Sequence, residues 1–480
     1  MQHALTNTTD TIAAIATPPG VGGIGIIRVS GTDAFSLVLP LVQRLGRQAD
    51  APPSHQLTHA HIVEPATREV LDDVLVAFMR APHTYTREDV VEIQGHGGPL
   101  VLRRILRAVL AQGARLAQAG EFTLRAFLNG RIDLAQAEAV MDLIGAQTEA
   151  GQRLAGQQLR GRLSEQLQTA RHAILGVIAQ IEVSIDFPEE DVPTPQATAL
   201  QPLVEVAQQQ IAQLLAGAEQ GKLYKQGLRI AIIGRPNVGK SSLLNALLRT
   251  ERAIVTPIAG TTRDTVEEIA NVRGVPLHLI DTAGITLSDD PVEQIGVQRS
   301  RAAAADADVV MLVVDGSQPL TGQDRSVFAE VQALGFGLNA NNISHSHVRP
   351  VVIVVNKADC TLHVEIDEVQ QAAPTSIVLY TSTLTGAGLV ELEDALAEFV
   401  LAGKTVSSES VLVTSTRHQE ALQRVAGHLY AAQDSLAQDL PLDFVSIDLR
   451  AAYEALGEVT GETASDDLLD TIFSEFCIGK

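Results

Sequence analysis

Apolar residues along this chain keep three rhythms, and each predicts a different kind of element. From residue 1 to about 125, short apolar runs alternate with Gly and Pro: IAAIATPPGVGGIGIIRVSG, then VLVAFM, then VVEIQGHGGP. The first and last are rich in β-branched residues and read as strands, while LVLRRILRAVLAQ after them reads as a helix. This stretch is expected to form an α/β domain. From about 126 to 220 the spacing turns helical: Ile174, Ile178, Ile181 and Ile185 recur at +4, +3 and +4, one face of a helix. FPEEDVPTP (187–195) breaks that helix with three prolines, and a second amphipathic stretch covers about 199–218. The block from about 225 to 395 alternates strands and helices, as a doubly wound sheet does. Helical spacing returns from 411, with Leu422, Val425 and Leu429 on one face. The pattern predicts an α/β multidomain chain. A doubly wound, mainly parallel block is inserted into a discontinuous helical domain, an arrangement favoured where domain termini lie close together. The expected divisions are 1–125, 126–224, 225–395 and 396–480.

Composition narrows the setting. The chain has 480 residues and two cysteines, Cys360 and Cys477, far apart in sequence. Two cysteines build neither a disulfide framework nor a zinc ribbon, so a reducing compartment fits best. The start, MQHALTNTTDTIAA, lacks the basic and apolar regions of a secretory signal. No run approaches the roughly 20 apolar residues of a membrane span. A cytoplasmic protein with no membrane partner is expected. The net charge of −22 argues against broad binding to nucleic acid, and no DNA partner is expected. The charge is uneven: through residue 125, eleven acids balance eleven arginines, and the whole excess lies from 126 onward. An RNA substrate therefore needs a local patch or a partner to hold it.

The middle block carries the chemistry. The strand LRIAII (228–233) runs into Gly234-Arg-Pro-Asn237-Val238-Gly239-Lys240-Ser241, and the helix SSLLNALL follows, taking in Ser242. This is a phosphate loop in its required setting of strand, loop and helix. Its backbone N–H groups and the helix N-terminus favour phosphate oxygens; Lys240 neutralises the β- and γ-phosphates and Ser241 ligates Mg²⁺. LHLI then leads to Asp281-Thr282-Ala283-Gly284, a strand-end carboxylate for the magnesium shell and an N–H to sense the γ-phosphate. VVIVV leads to Asn356-Lys357-Ala358-Asp359. Guanine presents an N1–H beside an N2 amino group, and the Asp359 carboxylate can accept both; adenine presents neither there. The base is read as guanine. Gly260-Thr261-Thr262-Arg263-Asp264 lies between the phosphate loop and Asp281, where a switch threonine belongs, with Thr262 reaching Mg²⁺, and Thr381-Ser382-Thr383 lies where a last base-contacting loop belongs. Ile285 follows Gly284 where Ras-type proteins place a water-orienting glutamine, and it cannot orient water. Glu293 is a candidate to polarise that water, with a solvated helix-start glutamate as the alternative. Gly20-x-Gly22-Gly23-x-Gly25 matches a dinucleotide fingerprint only loosely, and it reads as a tight turn. These residues leave open a modifying enzyme, a switch gating RNA affinity and a switch signalling to a protein. The acidic composition disfavours the second.

Across nearly its whole length the chain also resembles the bacterial tRNA-modification GTPase family MnmE (also called TrmE). The carrying segments are ATPPGVGGIGIIRVSG, EIQGHGGP, GEFTLRAFLNGRIDLAQAEAV, GRPNVGKSSLLNAL, IAGTTRD, DTAGI, NKAD and TGETASDDLLDTIFSEFCIGK. The resemblance implies an N-terminal tetrahydrofolate-binding and dimerising domain. It implies a homodimer that forms a heterotetramer with an FAD-containing partner, MnmG. The pair adds a carboxymethylaminomethyl or aminomethyl group to C5 of the wobble uridine, position 34, of certain tRNAs. The carbon comes from 5,10-methylenetetrahydrofolate or 5-formyltetrahydrofolate, and GTP hydrolysis depends on K⁺. By the same resemblance, Asn237, Thr256, Ile258 and Thr261 match the K⁺ site, Ser241 and Thr262 the Mg²⁺ ligands, and Glu293 the glutamate that acts through water. Arg28, Glu92, Arg131 and Lys480 match the folate site. Arg131 stands where the family commonly has lysine, Val21 replaces a frequent arginine, and Thr383 replaces a frequent alanine. GFGLNANNISHSH (335–347) reads as a lengthened surface loop. Cys477, close to Lys480, is a candidate nucleophile or a small buried hydrophobe.

Overall fold

The computed structural model describes residues 10–44, 53–186, 195–250, 267–281, 305–336, 349–374, 376–401 and 412–480. They divide into two compact units. One takes Met1–Met141, Leu159–Arg171 and Ser446–Lys480; the other takes Asp142–Gln158 and His172–Val445.

The first unit is built on a seven-stranded sheet with order β3-β4-β5-β6-β2-β1-β7. The strands are β1 (Ile12–Ile15), β2 (Ile24–Ser30), β3 (Val42–Arg44), β4 (Leu57–Val63), β5 (Val70–Met79), β6 (Val90–His96) and β7 (Arg115–Leu116). Every pairing is antiparallel except β1 with β7. The β-branched runs thus form the expected strands, and LVLRRILRAVLAQ supplies the helix Pro99–Ala111. Leu102, Ile105 and Val109 of that helix share a core with Ile27, Val29, Val91 and Ile93, which covers one face of the sheet. The helix Asp466–Ser474 is capped by Ser465, whose side chain accepts from Leu468 N–H. Leu469 and Phe473 of that helix, with Phe476, are buried with Leu124 and Leu134.

The second unit holds a six-stranded sheet, order β13-β12-β11-β8-β10-β9. Its strands are β8 (Leu228–Ile233), β9 (Glu267–Val272), β10 (Val275–Asp281), β11 (Val309–Asp315), β12 (Val351–Asn356) and β13 (Ile377–Tyr380). All pairs are parallel except β10 with β9. β11 and β12 are buried along their whole length, as their unbroken apolar runs require. Ile230, Ile232, Met311 and Val313 face one core and Ala231, Ile233, Leu312 and Val314 the other, so helices cover both faces. Segments before and after this sheet pack together: Gln208 of the helix Ala197–Ala216 donates to the carbonyl of Leu429 in the helix Thr416–Ala437. Gln158 likewise donates to Leu412 O and Thr414 Oγ1. An α/β block interrupting one helical layer is what the spacing predicted. Leu422, Val425 and Leu429 are fully buried, as are Ile174, Ile178 and Ile181; Ile185 is exposed, because it sits in the last turn before the helix ends at Asp186. The break predicted over 187–195 falls on residues 187–194, outside the described residues, as does most of the loop expected at 335–347.

Candidate functional site

In the six-stranded sheet, parallel strands β8, β10, β11 and β12 end together. Ile232 is in register with Asp281, and Asp315 with Asn356. Loops leaving these carboxyl ends converge where doubly wound sheets bind their ligands. The loop 234–239 leaves β8 and enters the helix Lys240–Thr250. Asn237 and Gly239 both take the left-handed conformation, with φ of 66° and 100°. At Gly239 only glycine fits, since a Cβ would lie 2.2 Å from Asn356 Nδ2. Lys240 is buried, and its ammonium donates to the carbonyls of Gly234 (2.8 Å) and Arg235 (3.0 Å), so it bridges the loop. Val238 is fully buried beneath the loop, and Ser241 and Ser242 begin the helix.

Asn356 closes the site from the side. Its Nδ2 donates to Val238 O (2.9 Å) and its Oδ1 accepts from Thr381 (3.3 Å), so one buried side chain ties the phosphate loop to the loop after β13. Lys357, at φ 64°, donates to Asp315 Oδ2 at 2.7 Å. Burial alone raises the Asp315 carboxyl, but hydrogen bonds from Lys357 and Ser317 outweigh it and hold the group below the usual carboxylate range. Asp359 is exposed. Its Oδ1 accepts from Ser382 Oγ at 2.6 Å, and its Oδ2 meets the Cys360 thiol at 3.7 Å. The Ser382 bond is the leading cause of a lowered Asp359 pKa, so the carboxylate stays an acceptor. Thr383 follows, half-buried. The structure therefore brings together Asn237 to Ser242, Asn356, Lys357, Asp359, Ser382 and Thr383, with the backbone of Asp281 at the neighbouring strand end. Thr256, Pro257, Ile258, Ala259, Gly260, Thr261, Thr262, Thr282, Ala283, Gly284 and Glu293 lie outside the described residues.

Sequence reasoning missed Asp315 and Arg235. Arg235 lies 3.2 Å from Asp324 and 3.8 Å from Asp315, anchoring the phosphate loop to the next strand and helix. A usable signal exists for Asp315: it is the ionisable residue closing the apolar run VVMLVV.

A second cluster lies in the first unit. Arg28 on β2 and Glu92 on β6 are direct cross-strand partners, and Arg28 Nε donates to Glu92 Oε1 at 2.9 Å. Arg28 also donates to Gly479 O (3.4 Å), which brings the terminal segment to the sheet. That segment is held by Ala119 pairing with Ile478, Gly120 N–H to Cys477 O and Phe122 N–H to Lys480 O. Gly479, at φ 94°, fits because a Cβ there would sit 2.4 Å from Ile15 O. Burial lowers the Lys480 pKa, Arg28 lowers it further, and Cys477 and Glu92 partly oppose them. Arg131 reaches the same place through Tyr85, donating to its carbonyl at 3.0 Å. Residues from four separate segments, Arg28, Glu92, Arg131 and Lys480, thus gather in one place. Cys477 stands exposed, which removes the buried-hydrophobe alternative. Tyr85 and Phe122, which line the cluster, carry no sequence signal. In the same unit, Arg125 and Glu121 are buried in an ion-pair network with Asp10, Arg115 and Glu88. Among the described residues no helix is long and apolar enough to cross a membrane.

Comparison with known proteins decides between the readings left open. The description "MnmE helical domain" matches residues 134–477, and "GTP-binding protein TrmE N-terminus" matches residues 11–131. A tRNA modification GTPase MnmE from Lactiplantibacillus plantarum is 48% identical over 474 residues, covering 98% of each chain. The chain belongs to the MnmE family of tRNA modification GTPases. One from Chloroflexus aurantiacus is 50% identical, covering 98% of this chain and 100% of its own. The G domain of the T. maritima FeoB iron transporter is 27% identical over 36% of this chain and 98% of that one, with a TM-score of 0.27. This chain is therefore a GTP hydrolase acting in tRNA modification.

Proposed function

We propose that this GTPase is activated by K⁺ and acts as a homodimer with an FAD-containing partner. Together they add a carboxymethylaminomethyl or aminomethyl group to C5 of uridine 34 in certain tRNAs, taking one carbon from a tetrahydrofolate. We further assign folate binding and dimerisation to residues 1–125 and GTP chemistry to 225–395, with 126–224 and 396–480 as the helical domain, in the cytoplasm.

On this reading Asp359 accepts the two donors of guanine, with Ser382 orienting the carboxylate. Lys240 binds the β- and γ-phosphates. Its buried ammonium already points at the carbonyl of Gly234, so the loop and its counter-charge are organised before substrate arrives. Ser241 and Thr262 would hold Mg²⁺. Asn237, Thr256, Ile258 and Thr261 would hold K⁺, which supplies positive charge where other GTPases use an arginine. Oxygen donors suit both ions, and Asn237 stands exposed in the loop with a left-handed backbone. Glu293 accepts a proton through water. In the first unit, Arg28, Arg131 and Lys480 suit the carboxylates that a folate carries, and Glu92 suits its ring N–H donors.

The observation that carries this reading is the coexistence of the two clusters: a guanine-type site on one sheet, and a cationic site completed by Lys480 on the other. GTP turnover in K⁺ and in Na⁺ at equal ionic strength tests it. Much faster turnover in K⁺ is expected. Equal rates sink the role of Asn237 as an ion ligand and cast out Glu293 with it.

A further inference from the structure

We infer that Tyr85 is a positioning residue of the N-terminal site, an aromatic post that holds Arg28 and Arg131 in one orientation toward an anionic ligand. The inference rests on the folate reading of that site.

The problem Tyr85 solves is electrostatic. Arg28 and Lys480 share one carboxylate, Glu92, and Arg131 adds a third cation through Tyr85. Like charges in close company repel, and long side chains disperse when nothing fixes them. Glu92 holds Arg28, but among the described residues no carboxylate pairs with Arg131. What both guanidinium groups share is the Tyr85 ring. The Arg131 Cζ lies 4.8 Å from its centroid and the Arg28 Cζ lies 5.5 Å from it. Both are within cation–π range, where the ring quadrupole attracts the cation without neutralising it. This differs from an acidic partner: an aromatic orients the guanidinium and leaves its charge available to a ligand. Arg28 has a second ring, Phe122, at 5.7 Å. Among the described residues Arg131 has one ring, Tyr85, and it is tied there twice, through the ring and through the Tyr85 carbonyl at 3.0 Å.

The post is itself fixed. Its ring packs against a buried cluster of Ile12, Ala14, Ala117 and Phe122. Its hydroxyl bonds Thr123 Oγ1 at 2.9 Å, and Thr123 is fully buried. A ring held at both ends gives its two arginines a rigid support, and preorganised cations bind an anion without a fresh loss of side-chain freedom.

Binding of 5-formyltetrahydrofolate to the full-length chain, followed by calorimetry, tests this. Wild-type protein that fails to bind sinks the folate reading itself. Given wild-type binding, Tyr85→Leu is expected to weaken it about tenfold, and Tyr85→Phe, which keeps the ring, to stay within about twofold. The Tyr85→Leu effect is expected to shrink in an Arg131→Ala background, because both changes act on one coupled group. GTP turnover of Tyr85→Leu is expected to match wild type; Tyr85→Met takes its place if Leu does not fold. Wild-type affinity in Tyr85→Leu overturns the inference and leaves the folate reading standing. So does full additivity with Arg131→Ala, or a Phe variant as weak as Leu.

Discussion

The two clusters of this chain are built by opposite strategies. The nucleotide site draws its parts from the ends of neighbouring parallel strands, and much of its chemistry is main chain: a left-handed loop, carbonyls bridged by Lys240, and one buried asparagine joining two loops. The N-terminal site is made of side chains from distant segments, brought together by a sheet register, an aromatic ring and a docked terminal segment. A main-chain site requires a contiguous stretch of sequence, because the backbone of one loop does the binding. A side-chain site requires only that the fold deliver its members. The first should therefore fail locally and sharply when touched; the second should fail through its supports.

The largest effect tests the local half of that contrast. Lys240→Ala removes the bridge between Gly234 and Arg235 together with the phosphate counter-charge. GTP turnover should fall by roughly a thousandfold or more, with folate affinity unchanged in the same preparation. A loss in both assays breaks the contrast. Next, Arg125→Met removes the buried arginine that holds Glu88, Asp10 and Glu121 together, leaving Arg115 alone on Asp10 and Glu121. Destabilisation by about 3 kcal/mol or more is expected in denaturant titrations, with folate binding lost before GTP binding. Third, Asp359→Asn replaces an acceptor pair by one acceptor and one donor. GTP affinity should drop about a hundredfold and xanthosine triphosphate, which carries a carbonyl in place of the amino group, should gain. Unchanged preference means that Asp359 does not read the base. The smallest effect is in pH. Lys480 has a lowered pKa, chiefly through burial, so it loses its charge at a lower pH than an ordinary lysine. Affinity for a folate carboxylate should fall several-fold as pH rises from neutrality, and Lys480→Arg, which stays charged, should flatten the slope.

How much was legible follows from the same contrast. The loop 234–239, Asn356 and Asp359 are readable because each sits directly after an apolar strand, where periodicity and motif reinforce each other. The insertion of the α/β block into a helical layer was readable from the change of rhythm on both sides. Asp315 was overlooked although it closes such a strand, because a lone aspartate has no motif to mark it; its importance appears only when Lys357 is seen to reach it. Arg28 and Lys480 became suspects through family resemblance rather than spacing, since no local rule joins residues so far apart. Tyr85 was invisible because its role depends on three neighbours that only the tertiary structure supplies. Ile185 kept the helical phase yet stays exposed, a reminder that periodicity fixes a face and not how far the face is covered.

One feature of the first unit bears on how the protein is made. The segment Cys477–Lys480 lies against Ala119, Gly120 and Phe122, and Gly479 is seated over Ile15. These residues are translated after every other described element. The N-terminal sheet leaves the ribosome early, but Arg28 meets Gly479 only after some 450 further residues have been made. The contacts around Arg28 therefore close late in synthesis, long after the sheet that carries them.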